Sequence, residues 1–565
     1  MSRHNAEVAP DVDIAIVGGG VSGIYSGWRL MTADPSVSPL LSAWRKKGSK
    51  LKVTVIEGSG RIGGRLLSAR PPTMPKITCE LGGMRYVSSQ TVVRSLIENC
   101  LKLPRTEQVV DQPQNLAYLR DKRLRYTDLT NPAVLPYALR WAEADWLRRG
   151  NPPATLIGWA AEMLLPGVSA LSGAALRKFL HAATVDGLPL YQHGFWTLLA
   201  RSLSPEAYQL AIKTIGYDCL GSDANAVDLI AEYFDFTPDV KYYLLNDGYE
   251  NVPWQLEKQY RAAGGAVIED AWVSGFDAIK LGSSTGVEIR FHGDRPPLRA
   301  RAIIMAMPQR AIRLLRPDGP VLDPVRAPQV QHLMNAVEPV PLFKLFMVYP
   351  SAWWQQQGVK QGRSLTDLPL RQCYYWGSEP TSAVDPDSGH AAIMAYNDAT
   401  STSFWGGLRR RPLAPGDTRP QYFRGAQAHA HGAAPQPFAP MAKAGRSEHP
   451  YRRNWRERRA PAAMVAEMHR QLMQMHGVKY APEPIDAAYM DWADDPYGGA
   501  VHFWNPGYRS EEVLVAMTQP LPDFPCYICG EAWSTNQTWV EGALQTAEIV
   551  LKRLGLPPPG WISHD

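Results

Sequence analysis

The stretch Asp13-Ile14-Ala15-Ile16-Val17-Gly18-Gly19-Gly20-Val21-Ser22-Gly23 decides the fold. Asp13 to Val17 is a short apolar run rich in β-formers. The glycines then open a segment ending Trp28-Arg29-Leu30 that reads as helix, giving strand, glycine turn, helix. Gly18, Gly20 and Gly23 have the spacing that serves a tight turn, close approach of backbone to a pyrophosphate, and close helix–strand packing, with phosphates at the helix N-terminus. Alone, that spacing is a weak signal. Its context strengthens it, because a second apolar strand, Leu51-Lys52-Val53-Thr54-Val55-Ile56, ends in Glu57, the acid that ribose hydroxyls need. Glu57 comes later than the roughly 20 residues usual after the turn. The excess predicts an insertion over residues 32–50, read as a loop with Pro35, Pro39 and basic Arg45-Lys46-Lys47.

Two segments after Glu57 separate flavin from nicotinamide binding. Gly63-Gly64-Arg65-Leu66 follows the acid closely, and Cys79-Glu80-Leu81-Gly82-Gly83-Met84-Arg85-Tyr86 lies shortly beyond. Together they resemble the flavin amine oxidase superfamily, which carries a Gly-Gly-Arg turn after the ribose-binding acid and then an acidic Leu-Gly segment beside the flavin. The second segment looks most like the bacterial L-amino-acid oxidase and monooxygenase branch. Near the C-terminus, Ile528-Cys529-Gly530-Glu531-Ala532-Trp533 through Trp539-Val540-Glu541-Gly542 looks like the superfamily's closing motif.

The resemblance implies FAD, held by Gly18, Gly20, Gly23, Glu57, Gly64, Arg65, Gly83, Met84, Arg85, Gly530, Glu531, Trp539 and Val540. Glu531 would accept from the ribityl chain. A helix from about Trp539 would aim its first amides at the pyrimidine end, where they stabilise negative charge. Monoamine oxidases attach their flavin through the cysteine of a Gly-Gly-Cys segment; here that position is Ala500, so the FAD is expected to be noncovalent. The next position, aromatic in those enzymes, is Val501, which weakens an aromatic cage for simple amines.

Composition sets the outer bounds. At 565 residues the chain exceeds one ordinary core and predicts two or three domains. A net charge of +5 with no long basic stripe does not argue for nucleic acid, though a positive field suits an anionic or zwitterionic ligand. Met1 to Pro10 is polar, and the apolar window Trp159 to Leu176 is interrupted by Glu162 and Pro166, so a cytoplasmic protein without a membrane span is expected. The cysteines at 79, 100, 219, 373, 526 and 529 are too few for a disulfide scaffold. Cys526-Tyr527-Ile528-Cys529 has redox spacing but lies in a strand-like run, where residues three apart face opposite ways, and reads as structural. No metal-ligand spacing, GxSxG or phosphate loop is present.

The fold class expected is α/β: a discontinuous doubly wound FAD-binding domain, a mixed-sheet substrate domain and a helical domain. The boundaries are 1–90, 237–330 and 481–565 for the FAD domain, 91–236 for the helical part, and 331–480 for the substrate domain with a basic insertion at 409–460. Arg452-Arg453-Asn454-Trp455-Arg456 in that insertion mixes aromatic and arginine, as single-stranded nucleic-acid binders do. Without such a motif elsewhere, a surface loop, lid or subunit contact is the better reading. Pro461 to His476 reads as a helix.

Three residues carry the catalytic expectation. Lys344 sits inside the apolar run Leu342 to Tyr349, where a cation is costly unless paired or wet; the alternative is an edge-strand lysine that snorkels out. The resemblance makes it the lysine that holds a water against flavin N5, and it puts Trp539 on the substrate side of the flavin. Arg85 follows glycines that allow close approach, and guanidinium is the planar fork that matches a carboxylate. Trp504 and Tyr374 belong to strands resembling those of lysine-acting enzymes. Among Asp218, Asp228, Glu232 and Asp235, most are expected on solvated helix faces, one reaching the pocket to pair with a substrate cation; Asp218 and Asp235 are the candidates chosen. The expected reaction is oxidation of an L-amino acid, basic such as lysine first and aromatic second, by hydride transfer to the flavin with O2 as acceptor, in a homo-oligomer, as a dimer. An amine or polyamine oxidase, a nicotinamide dehydrogenase and a flavin scaffold without turnover are the rivals.

Overall fold

The computed structural model describes residues 9–45, 50–221, 223–236, 239–380, 389–409, 449–493 and 499–563. In chain order, β1 (Val12–Val17) turns into α1 (Val21–Thr32) and returns as β2 (Val53–Ile56). A largely helical stretch follows, closing with α2 (Ala226–Asp235). Then come β3 (Ala266–Ile268), β4 (Leu298–Met305), β5 (Leu342–Tyr349), β6 (Cys526–Ile528) and α3 (Val540–Arg553).

The first sheet runs β3-β2-β1-β4-β6, all parallel, and an antiparallel hairpin (Val273–Leu281, Ser284–Phe291) extends it from the start of β4. Alternation along β1 explains why this sheet is covered on both sides. Ile14 and Ile16 pack with Ile24 and Tyr25 of α1 and Leu544 and Ala547 of α3, while Ala15 and Val17 face Phe276, Leu315 and Trp533. Cys526 and Cys529 fall in these two different cores, and all six cysteines are free.

The second sheet has Asp486–Asp491, β5, Gly389–Asp398, Gln372–Pro380, Gly362–Thr366, Leu116–Leu119 and Lys122–Arg125 in that order. Its last two strands come from within 91–236, so that interval is not purely a helical unit: Leu116 and Tyr118 pack in the sheet's core. The mixed α/β architecture expected from the sequence is present.

Two local expectations change. Residues 32–50 are not simply a loop: after a turn at Pro35–Val37, the Ser38 hydroxyl accepts from Leu41 N and starts a helix, Pro39–Trp44, with Leu41 buried. Lys46 and Lys47 lie outside the described residues. Within 409–460, residues 410–448 also lie outside them, but Pro450–Glu457 is a packed helix. Tyr451, Asn454 and Trp455 are buried, and Asn454 Nδ2 donates to Ser68 O at 2.8 Å, which overrides the surface-loop reading for that end of the segment. Among the described residues no helix is long and apolar enough to cross a membrane.

Candidate active site

A cavity of about 890 Å³ extends from the glycine turn to the face of the second sheet. At its nucleotide end Gly18 has φ +111°, and a Cβ there would lie 2.4 Å from Ala306 O; a Cβ on Gly23 would lie 1.9 Å from Gly18 O. Packing of α1 on the strands therefore requires both glycines. Gly20 differs. The nearest atom to a Cβ there is Gly64 Cα at 3.8 Å, and Gly20 lines the cavity, so the room beside it belongs to whatever the cavity holds. Glu57 is fixed by Gly19 N (2.6 Å) on one oxygen and by Ser59 N and Oγ (both 2.8 Å) on the other. Arg61, which sequence reasoning passed over, braces the Gly63-Gly64 turn by donating to Gly64 O, Leu66 O (2.8 Å) and Glu250 Oε1 (2.8 Å).

Further along, Arg65 pairs with Glu531 Oε1 at 2.5 Å and donates to Ala500 O, while His502 Nδ1 lies 2.8 Å from the same Glu531 oxygen. Burial pushes the Glu531 carboxyl up, but His502 and Arg65 outweigh it and hold its pKa below the ordinary value. The other oxygen, Oε2, is buried with no partner. A buried carboxylate oxygen needs a donor, and a ribityl hydroxyl of FAD is such a donor. The room at Gly20 and this orphaned oxygen both fit FAD. Gly64, Gly83, Met84, Gly530, Trp539 and Val540 line the same cavity, and Trp539 is the N-cap of α3. Gly23 supports the turn from behind and is not on the cavity wall.

The far end holds Arg85 and Lys344. Lys344 is 4% exposed; its Nζ donates to Glu80 O (3.1 Å) and to Gly82 O, and lies 5.1 Å from the centre of the Tyr396 ring. It is buried and paired with carbonyls, which excludes snorkelling. Burial brings its pKa down to about 7, against the pull of Glu80. Arg85 is 7% exposed and has only neutral partners: Gln108 Oε1 at 3.0 Å, the Tyr217 hydroxyl at 3.1 Å, and the Tyr242 ring 4.2 Å from Cζ. No carboxylate lies within ion-pair distance of it among the described residues. A buried guanidinium without a counter-ion, on a cavity wall, is a site for an anion.

Four other sequence candidates go elsewhere. Tyr374 stands behind Tyr217, hydroxyl to hydroxyl 3.4 Å, and is not on the cavity wall. Trp504 is in the core, its indole donating to Ser534 O at 3.0 Å. Asp218 accepts from Arg371 Nε at 2.8 and 2.9 Å, and Asp235 pairs with Arg177 at 3.2 Å, so neither acid is available to a ligand. Glu232, weighed with them and passed over, is the one of the four that lines the cavity. Its signal was the helical spacing from Asp228 and Asp235, which places all three on one side of α2. Tyr217, Tyr242 and Gln108 carried no sequence signal.

The family model described as flavin containing amine oxidoreductase matches residues 22–398 and 451–550. Aplysianin-A of Aplysia kurodai is 26% identical over 96% of this chain and 90% of its own length, and achacin of Lissachatina fulica is 24% identical over 98% and 94%. The L-amino acid oxidase Cdc18 of Crotalus durissus cumanensis is 22% identical over 70% of each. Among solved structures, cyclohexylamine oxidase from Brevibacterium oxydans superposes with a TM-score of 0.60 at 18% identity, covering 97% of this chain and 99% of that one.

Proposed function

This chain belongs to the flavin containing amine oxidoreductase family, and from that premise we propose that it is an FAD-dependent oxidase of L-amino acids, basic ones first. The carrying observation is Arg85, a buried arginine in the cavity with neutral partners only. A simple amine has no group to meet it, whereas an α-carboxylate matches it through two parallel hydrogen bonds. Bound FAD supplies the two-electron acceptor, which O2 then restores.

The chain's own residues do the rest. Arg85 orients the substrate by its carboxylate, so that the Cα–H bond is presented to the flavin face. Tyr217, Tyr242 and Tyr396 wall that end and exclude water. Lys344, anchored on two backbone carbonyls, keeps one remaining N–H for a water beside the reacting centre. Glu531 would accept from a ribityl hydroxyl and the first turn of α3 would hold the isoalloxazine end, and Ala500 offers no thiol for a covalent link. The amino acid loses its Cα hydrogen with its electron pair and a proton from nitrogen; water then converts the imino acid to a 2-oxo acid and ammonia, and O2 leaves as H2O2. If O2 takes up the electrons before the imino acid departs, the peroxide formed oxidises it in place, one peroxide oxygen entering the amide and the other leaving as water while the carboxylate leaves as CO2.

The test is an anaerobic panel of L-amino acids and their decarboxylated amines, scored by bleaching of the flavin band. Bleaching by amino acids well ahead of the matching amines supports the proposal. Bleaching by amines alone, or by none of the panel, contradicts it.

A further inference from the structure

Most charged side chains on the cavity wall are ion-paired or satisfied by local polar groups, Lys344 by the Glu80 and Gly82 carbonyls, and two stand apart. Arg65 is matched by Glu531, Arg363 by Asp111 at 3.2 Å, and Arg61 by Glu250; Glu57 is taken up by Gly19 and Ser59. Arg85 has no acid. Of the four acids lining the cavity, Glu57 and Glu232 have no ion-pair partner within the described residues, and both Glu57 oxygens are taken by local donors, which leaves Glu232. Glu232 projects from α2, next to Trp539, which caps α3 and whose ring centre lies 5.6 Å from that of Phe236. Apolar surroundings push the Glu232 carboxyl up to about 7, with Trp539 acting against the shift.

We propose that Glu232 selects the substrate by accepting a cationic group at the distal end of its side chain, an ammonium or guanidinium, while Arg85 holds the α-carboxylate. This rests on the amino-acid reading above. A free acid and a free arginine in one cavity could also serve the α-ammonium and α-carboxylate of any amino acid. Those two groups are separated by a single carbon, so the acid would then share the arginine's immediate neighbours. It does not: Arg85 is held by Gln108, Tyr217 and the Tyr242 ring, whereas Glu232 lies on α2 beside Trp539 at the start of α3. The two sites are apart, as a substrate charged at both ends requires. A carboxylate facing an apolar, tryptophan-lined wall also rejects acidic side chains through like-charge repulsion.

Glu232→Gln keeps the shape and removes the charge. In the FAD-loaded enzyme, kcat/KM for L-lysine should fall roughly 30-fold or more, the usual loss when one partner of a desolvated ion pair is neutralised. The value for L-norleucine, the same chain without the distal nitrogen, should stay within about threefold. Binding is read separately: the inhibition constant of 6-aminohexanoate, which lacks the α-amine, should rise by a similar factor, and that of hexanoate should not move. Equal losses for lysine and norleucine, or unchanged constants for both, overturn the assignment of Glu232. Should the parent enzyme oxidise cadaverine and no L-amino acid, the amino-acid reading fails by itself. Glu232 is then judged on cadaverine against pentylamine: a loss confined to cadaverine upholds it as the distal-cation acceptor, and equal loss rejects it.

Discussion

The nucleotide end of the cavity and its substrate end are made in different ways. At the first, backbone does the recognising: Gly18, Gly20, Gly23, Gly63 and Gly64 set the turn, and the one acid, Glu57, is held by Gly19 and Ser59 close by in sequence. At the second, side chains from distant parts of the chain converge, Arg85 meeting Gln108 and Tyr217 from positions 23 and 132 residues away. The first end tolerates few sequences and is therefore conspicuous. The second can be assembled from many, and its chemistry is set by which charges are left unpaired.

The largest expected effect breaks the backbone end. Gly23→Ala places a methyl 1.9 Å from Gly18 O, with no flexible side chain to give way. The variant should purify colourless, its ratio of flavin to protein absorbance near zero and its helical circular dichroism largely kept. A yellow variant with full FAD content would show that the turn has more slack than its geometry allows.

Next comes a structural pair behind the cavity wall, beside Tyr217 and Cys219 in sequence. Asp218→Ala leaves Arg371, buried and 3% exposed at its side chain, without its carboxylate, a loss of about 3–5 kcal/mol by the measure of other buried pairs. Denaturant unfolding reads the loss. The order of preference among lysine, ornithine and norleucine should not change, since Asp218 is spent on Arg371. A switch in that order would return Asp218 to the substrate site.

A smaller and more specific effect is expected at Lys344. Lys344→Met should slow the oxygen half-reaction about 10²-fold, the scale of one lost oriented donor, and slow anaerobic bleaching much less. Stopped-flow separates the two, and equal reoxidation in variant and parent would confine Lys344 to tying Glu80 and Gly82 to β5.

What the sequence disclosed follows the same division. The turn, Glu57, the Gly-Gly-Arg segment, and the strand and helix around Glu531 and Trp539 are local patterns, and their residues do line one cavity or support it. Lys344 was conspicuous because a cation in an apolar strand is costly. The acids of α2 were not separable, because Asp228, Glu232 and Asp235 share one side of the helix, and the partner that claims Asp235 is Arg177, 58 residues away. Asp218 was misplaced for the same reason, its partner Arg371 being 153 residues distant. Tyr374 resembled a site residue and proved to stand one layer behind Tyr217. Helix periodicity and motif resemblance specify a face; they do not specify which group on it has already been neutralised.

Whether Arg85 meets a substrate carboxylate is tested by comparing L-lysine with cadaverine in the parent enzyme, Arg85→Lys and Arg85→Ala, each checked for full FAD content. Lysine cannot reproduce the two-pronged contact of guanidinium, so both variants should lose roughly 30-fold or more in kcat/KM for L-lysine while cadaverine, having no carboxylate, changes by less than about threefold. Near-parental kcat/KM for L-lysine in both variants would contradict the claim and leave Arg85 as a structural cation among tyrosines.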